Sequence, residues 1–145
     1  MDSRRVFIKL VFLLVAALSF TKLQAQNFTI VGNNTGFKTT TTKNLKAIFK
    51  GKYSTWKNKE GVIIVLPSTK SDNAAAVAKY LYNTTVTGMQ KYWLAQVFQG
   101  RSNPPVFLET DAEIVSYVKK NAGAVGIVRA STKDIPASIK ITISD

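Results

Sequence analysis

The apolar positions of this chain change their period several times, and each change marks an element. Val11 to Phe20 (VFLLVAALSF) is an apolar run with Ser19 as its one polar member, only half of the roughly 20 residues a membrane-spanning helix needs. Phe28 to Val31 is a β-branched run closed by Gly32-Asn33-Asn34, which predicts a strand and a turn. Thr35 to Thr42 reads as a polar, threonine-rich loop. Leu45, Ile48 and Phe49 fall at i, i+3 and i+4, so a short helix is expected over 43–50, with Thr42 as N-cap and Gly51 as its stop. A loop with two aromatics (KYSTWKNKEG, 52–61) leads to Val62–Leu66 (VIIVL), a continuous apolar run. Such a run suits a strand buried on both faces and hence an α/β sheet.

After a turn at 67–73, Ala74, Val77, Ala78, Leu81 and Tyr82 trace one helical stripe. Thr87 is expected to open a second helix with Met89, Tyr92, Trp93 and Val97 inward. GRSNPP (100–105) is a loop. Thr110 and Glu113 form a capping box, and Ile114, Tyr117 and Val118 give the inward face of the helix that follows. Gly123 stops it, Ala124–Val128 (AVGIV) predicts a second central strand, and the alternating Ile139–Ile143 (IKITI) a half-buried edge strand. Strands interleaved with helices give an α/β architecture, a mixed central sheet flanked by helices on both faces. No internal repeat or linker interrupts 26–145.

Composition sharpens this picture by exclusion. The 145 residues contain no Cys and no His. Disulfides, thiol nucleophiles, imidazole bases and the usual zinc or iron sites are therefore out of reach. No GxxxxGK[ST] or GxGxxG occurs, and no base is available to pair with the abundant hydroxyls except Lys. The chain reads as a non-enzymatic protein without cofactor or metal. Lys+Arg outnumber Asp+Glu by 20 to 8, giving a net charge of +12 and a pI near 10.0. That balance favours anionic partners in general, although a solvated lysine surface is the commoner meaning. With 14 Lys to 2 Arg beyond residue 25, no specific nucleic-acid recognition is expected.

The amino-terminal run acquires a meaning from its flanks. Arg4, Arg5 and Lys9 precede it, Lys22 ends it, and Leu23-Gln24-Ala25 reads as a cleavage site before Gln26. Residues 1–25 are expected to be a secretory signal, leaving 26–145 as the mature, periplasmic domain with a charge of +9. The Arg4-Arg5 pair leaves the general and twin-arginine routes both open.

One constellation suits ligand chemistry. The Val62–Leu66 strand runs into Ser68, Thr69, Lys70 and Ser71, and then into a helix starting near Asp72 or Asn73. Backbone N–H groups at a helix start, with hydroxyls and a lysine, form an anion site at the carboxyl edge of a sheet. The plainer reading is that Ser71 or Asp72 is an N-cap. Arg101 is a second candidate for holding an anion, or else a surface arginine covering Trp93.

The order NLKAIFKGK (44–52), Trp56, VIIVLPS (62–68), Tyr92-Trp93, VFQGR (97–101), Pro104-Pro105, Glu113-Ile114-Val115 and GAVGIV (123–128) resembles the phosphate-type substrate-binding proteins of ABC importers. The resemblance covers most of 43–128. It implies a single lobe of a type II periplasmic-binding-protein-like fold, as in short relatives of that family. It also implies phosphate or a similar small oxyanion as ligand, which the constellation described above would hold with Ser68, Thr69, Lys70, Ser71, Asp72, Asn73 and Arg101. The partner implied is a membrane transporter or another envelope protein, and a homo-oligomer is open. In the family, an Arg and then Ser-Gly-Thr follow the strand. Here the stretch reads Leu66-Pro67 and then Ser71-Asp72-Asn73, so only Ser71 carries over. Asp72 would compete with an anion for the helix N-terminus. The same scaffold could instead serve as a protein–protein module, or its basic surface could bind polyanions.

Overall fold

The computed structural model describes residues 28–145. The predicted signal, 1–25, lies outside them. The elements are strand β1 (Phe28–Gly32), β2 (Thr39–Thr40), helix α1 (Thr42–Phe49), β3 (Ile63–Pro67), α2 (Ala74–Tyr82), α3 (Val86–Phe98), β4 (Val106–Leu108), α4 (Asp111–Lys120), β5 (Ala124–Arg129), a 3-10 turn (Ala137–Ile139) and β6 (Lys140–Ile143). They form one mixed six-stranded sheet in the order β2-β6-β1-β5-β3-β4. β3 pairs in parallel with β4 and β5, and β2 with β6, whereas β1 runs antiparallel to both of its neighbours, β5 and β6. β1 is thus the one reversed strand, and all others end at a common carboxyl edge.

Alternation along the strands divides the core in two, because successive side chains of a strand point to opposite faces. Ile30, Ile64, Leu66, Val125, Ile127 and Ile141 pack against Leu45, Ile48 and Phe49 of α1, Val77, Ala78 and Leu81 of α2, and Met89 and Trp93 of α3. On the other face Val31, Val65, Ala124 and Val128 meet Ile114, Val115 and Val118 of α4. Gly126 makes that second layer close-packed. A Cβ there would sit 2.7 Å from Cγ2 of Ile114.

Local signals place most ends. Thr110 accepts from the backbone N–H of Glu113, and the Glu113 carboxylate accepts from that of Thr110, the reciprocal box expected. Other expectations are corrected. The cap of α1 is Thr41, whose hydroxyl accepts from Asn44 N, while Thr42 is the first helical residue. α3 begins under Thr85, not Thr87. Val97, expected inward, is exposed, and Tyr92 is only half-buried. β6 is not an edge strand, since Thr39–Thr40 of the presumed loop adds β2 outside it. The short β4, which carries no alternating signal of its own, forms the opposite edge.

Candidate functional site

The loop after β3 is already well satisfied by its own atoms. Ser71 N donates to Ser68 O (3.0 Å), Lys70 N to Ser68 Oγ (3.3 Å) and Asn73 N to Ser71 Oγ (3.2 Å). Of the three N–H groups at 71–73, two are therefore used within the loop; the expected cap at Ser71 or Asp72 is corrected, since the N-cap of α2 is Asn73, without a side-chain cap bond, and the Ser71 hydroxyl only closes the turn before it. Thr69 and Asp72 are exposed. Lys70 is exposed and lies 3.5 Å from the exposed Glu109, a surface pair of small energetic weight.

Arg101 is not brought to this loop. It lines a small cleft with Gly51, Tyr53, Val62 and Ile63, at the start of β3. Ser68 to Asn73 follow the end of that strand. The loop and Arg101 thus occupy opposite edges of the sheet, because the α3–β4 connection returns to the amino edge before β4 can run parallel to β3.

Besides Lys70, a further cation stands at the carboxyl edge, Arg129, the last residue of β5. Its Nε donates to Asp111 Oδ2 at 2.7 Å, and Thr132 Oγ1 donates to the same oxygen at 3.0 Å. Asp111 is buried, being the first residue of α4, whereas the Arg129 side chain is half exposed. The bond to Asp111 and the charge beside it push the Arg129 guanidinium further above its ordinary range; Asp72 adds to this from a greater distance. Arg129, Phe28, Asn73, Ala76, Ala130 and Ser131 line a shallow depression. Two buried polar atoms here have no partner: Asn73 Nδ2 and Asp111 Oδ1. Buried polar groups are nearly always paired; of these two only Asn73 Nδ2 is a donor suited to an anion, whereas Asp111 Oδ1 is an acceptor.

Neither Arg129 nor Asp111 was singled out by the sequence. Eighteen residues separate them, so no local spacing announces the pair. The available signal was a charged residue directly after AVGIV, at the carboxyl end of a central strand, where open α/β sheets bind their ligands. A cavity similar in volume to that depression, about 400 Å³, lies elsewhere, between α1 and the loops carrying Phe37 and Trp56. It offers one flexible cation, Lys57, and none of the unpaired buried atoms. Among the described residues no group of acidic side chains could hold a metal ion.

No curated protein matches the chain. Solved structures do. PstS from Borrelia burgdorferi superimposes with a TM-score of 0.59 at 11% identity, over 81% of this chain and 47% of that one. An ABC-type phosphate transport receptor from Vibrio cholerae gives 0.51 at 16% identity, over 86% and 53%. At such identities the likeness is one of fold, the type II binding-protein fold, and the chain spans about half the length of these structures. The family model for the PBP superfamily domain matches residues 18–142, nearly the whole sequence, and the chain belongs to that family.

Proposed function

We propose that residues 26–145 form an exported, non-enzymatic solute-binding lobe that takes a small oxyanion, phosphate or a relative of it, at the carboxyl edge of its sheet. The observation that carries this reading is Arg129, held by Asp111 at 2.7 Å with its side chain half exposed, on the same depression as Asn73, whose buried amide nitrogen is unpaired. A fixed guanidinium is a ready partner for a planar or tetrahedral oxyanion. Ser131, on the same depression, supplies a hydroxyl.

The site is weak by construction. It is open to solvent on one side, so each bond to a ligand competes with water. Asp72 stands nearby, and Asp111 already neutralises much of Arg129. Affinity for phosphate is expected near millimolar, about −4 kcal/mol, and completion of the cavity by an envelope partner or a second copy would strengthen it. Titration calorimetry tests this. Asp72→Gly removes a competing carboxylate and raises the affinity, while Arg129→Lys keeps the charge beside Asp111 but loses the fork and lowers it. Absence of phosphate and sulfate binding to both wild type and Asp72→Gly would overturn the proposal.

In that event a second reading leads, a protein-binding module on the same scaffold, favoured by the loop at Ser68–Asn73, which spends two of its backbone N–H groups on its own hydroxyls. Export is tested separately. N-terminal sequencing of envelope-fraction protein should begin at Gln26, and a membrane-embedded product beginning at Met1 contradicts it.

A further inference from the structure

The charges of this basic protein are segregated between the two edges of its sheet. Five of the seven Asp and Glu among the described residues (Asp72, Glu109, Asp111, Glu113 and Asp145) sit at the carboxyl edge, at strand ends and in the first turn of α4, where they outnumber the cations Lys43, Lys70 and Arg129. At the amino edge, where α1 and α4 end and β3, β5 and β6 begin, the cations include Lys50, Lys52, Lys57, Lys59, Arg101, Lys119, Lys120 and Lys140, against one acid, Glu60.

An apolar stripe lies beside these cations. On α3, Leu94 is 60% and Phe98 84% exposed, with Val97 less so at 37%. Lys91, Leu94, Ala95 and Phe98 are all exposed and spaced i, i+3, i+4 and i+7, so they share one face. The second half of α3 is tied to the amino edge by one bond of its own, from Tyr92, and the loop that follows it by a second, from Ser102. Tyr92 Oη donates to Lys50 O (2.6 Å), Arg101 N donates to Gln96 O (3.0 Å), and Ser102 Oγ donates to Gly51 O (3.3 Å). Lys50 and Arg101 therefore flank the second half of α3, and Lys52, whose Nζ lies 5.4 Å from the Tyr53 ring centroid, follows directly after Gly51.

We infer that this face, α3 with the α1 carboxyl end, docks on an anionic lipid bilayer. Leu94 and Phe98 enter the headgroup boundary, and Lys50, Lys52, Lys91 and Arg101 meet the phosphates. A large exposed aromatic and an aliphatic neighbour within a cationic surround are the two signals that together hold a protein on such a surface. The lysines argue against a protein partner, whose interface cores are depleted in that residue. The scarcity of Arg and the aliphatic Leu94, which cannot stack on a base, argue against nucleic acid. The acidic carboxyl edge, repelled by the same lipids, would point away from the membrane, which leaves the depression at Arg129 open.

The chain has no Cys, so single-cysteine labelling of the full protein reads the docking site directly. An environment-sensitive fluorophore on Ala95→Cys is expected to brighten and shift to the blue with vesicles containing phosphatidylglycerol. No response is expected with pure phosphatidylcholine, nor from the same label on Thr69→Cys at the opposite edge. In the labelled protein, Lys50→Gln with Lys52→Gln should weaken binding by about 25-fold, on the basis of about fivefold for each lysine at an anionic surface. Leu94→Ser with Phe98→Ser should abolish the blue shift. An unresponsive label at Ala95→Cys overturns the inference. So does an equal response at Thr69→Cys, which would assign the binding to another part of the chain, or a response to a DNA oligonucleotide and not to vesicles.

Discussion

At the residue scale, one phenol ties three helices together. Tyr82 Oη, at the end of α2, donates to Phe49 O of α1 (2.5 Å) and accepts from Trp93 Nε1 of α3 (2.9 Å). Burial pushes its pKa well above the ordinary tyrosine value of 10.0; the Trp93 N–H opposes this and neighbouring Tyr92 adds to it. A group whose folded pKa is raised contributes stability that is fully present below its unfolded pKa and lost as pH rises toward the folded one. Tyr82→Phe removes both bonds and leaves two buried groups unpaired, at a cost of about 1–3 kcal/mol at neutral pH. The difference between wild type and variant should then shrink above about pH 10, as measured by urea midpoints. A difference that stays constant with pH would show that the hydroxyl is not held away from water. Gly123 is a second single-residue constraint. Its φ is +85°, and a Cβ would lie 2.0 Å from the carbonyl oxygen of Gly61, beside the buried bond from Trp56 Nε1 to Gly123 O. Gly123→Ala should cost on the order of 2 kcal/mol or more, read as a fall in thermal midpoint.

At the element scale, what was legible in the sequence is what is local. The apolar runs at 62–66 and 124–128 became the central strands β3 and β5, shifted by at most one residue, because a strand buried on both faces leaves an uninterrupted signal. The Thr110–Glu113 box was readable from two residues. Threonine runs defeated the same reasoning at α1. Thr39 to Thr42 offer four identical caps, and only the backbone angle of Thr41 and its bond from Asn44 N decide among them. Thr42 instead holds the Asp145 carboxylate with its N–H (2.8 Å) and hydroxyl (2.9 Å), which keeps that carboxyl below its usual range. Thr41→Ala should cost about 1 kcal/mol through loss of the cap. Thr42→Ala should remove only the Asp145 hydroxyl bond, so the Thr41 variant is expected to melt lower, and the reverse order would restore Thr42 as the cap. β2 and β4 were illegible because two and three residues cannot express a period. The pairing of Arg129 with Asp111 was illegible because it exists only after β5 and α4 have packed. Arg101 was misplaced for a related reason, since sequence order does not say at which edge of a sheet a loop will lie.

For the whole molecule, the segregation of charge has a thermodynamic consequence independent of any ligand. Cations crowded at the amino edge repel one another, and folding brings them closer than they are in the expanded chain. The opposing attractions are few. Among the described residues there are two ion pairs, and one of these, Lys70–Glu109, is exposed on both sides and contributes about 0–1 kcal/mol. The other is shielded by its buried carboxylate and responds less to salt. Screening should therefore remove more repulsion than attraction. Raising ionic strength from about 0.01 to about 0.15 M shortens the Debye length from about 30 to about 8 Å, less than the span of the sheet edge over which the lysines interact. The thermal midpoint is expected to rise over this interval in a salt such as NaCl. The gain should diminish when Lys57 and Lys59, neighbours in the loop before β3, are replaced by Gln, because part of the repulsion is then already gone. A midpoint that falls with salt would mean that attractive pairs dominate, and that the two edges are not as oppositely charged as the placement of these side chains requires.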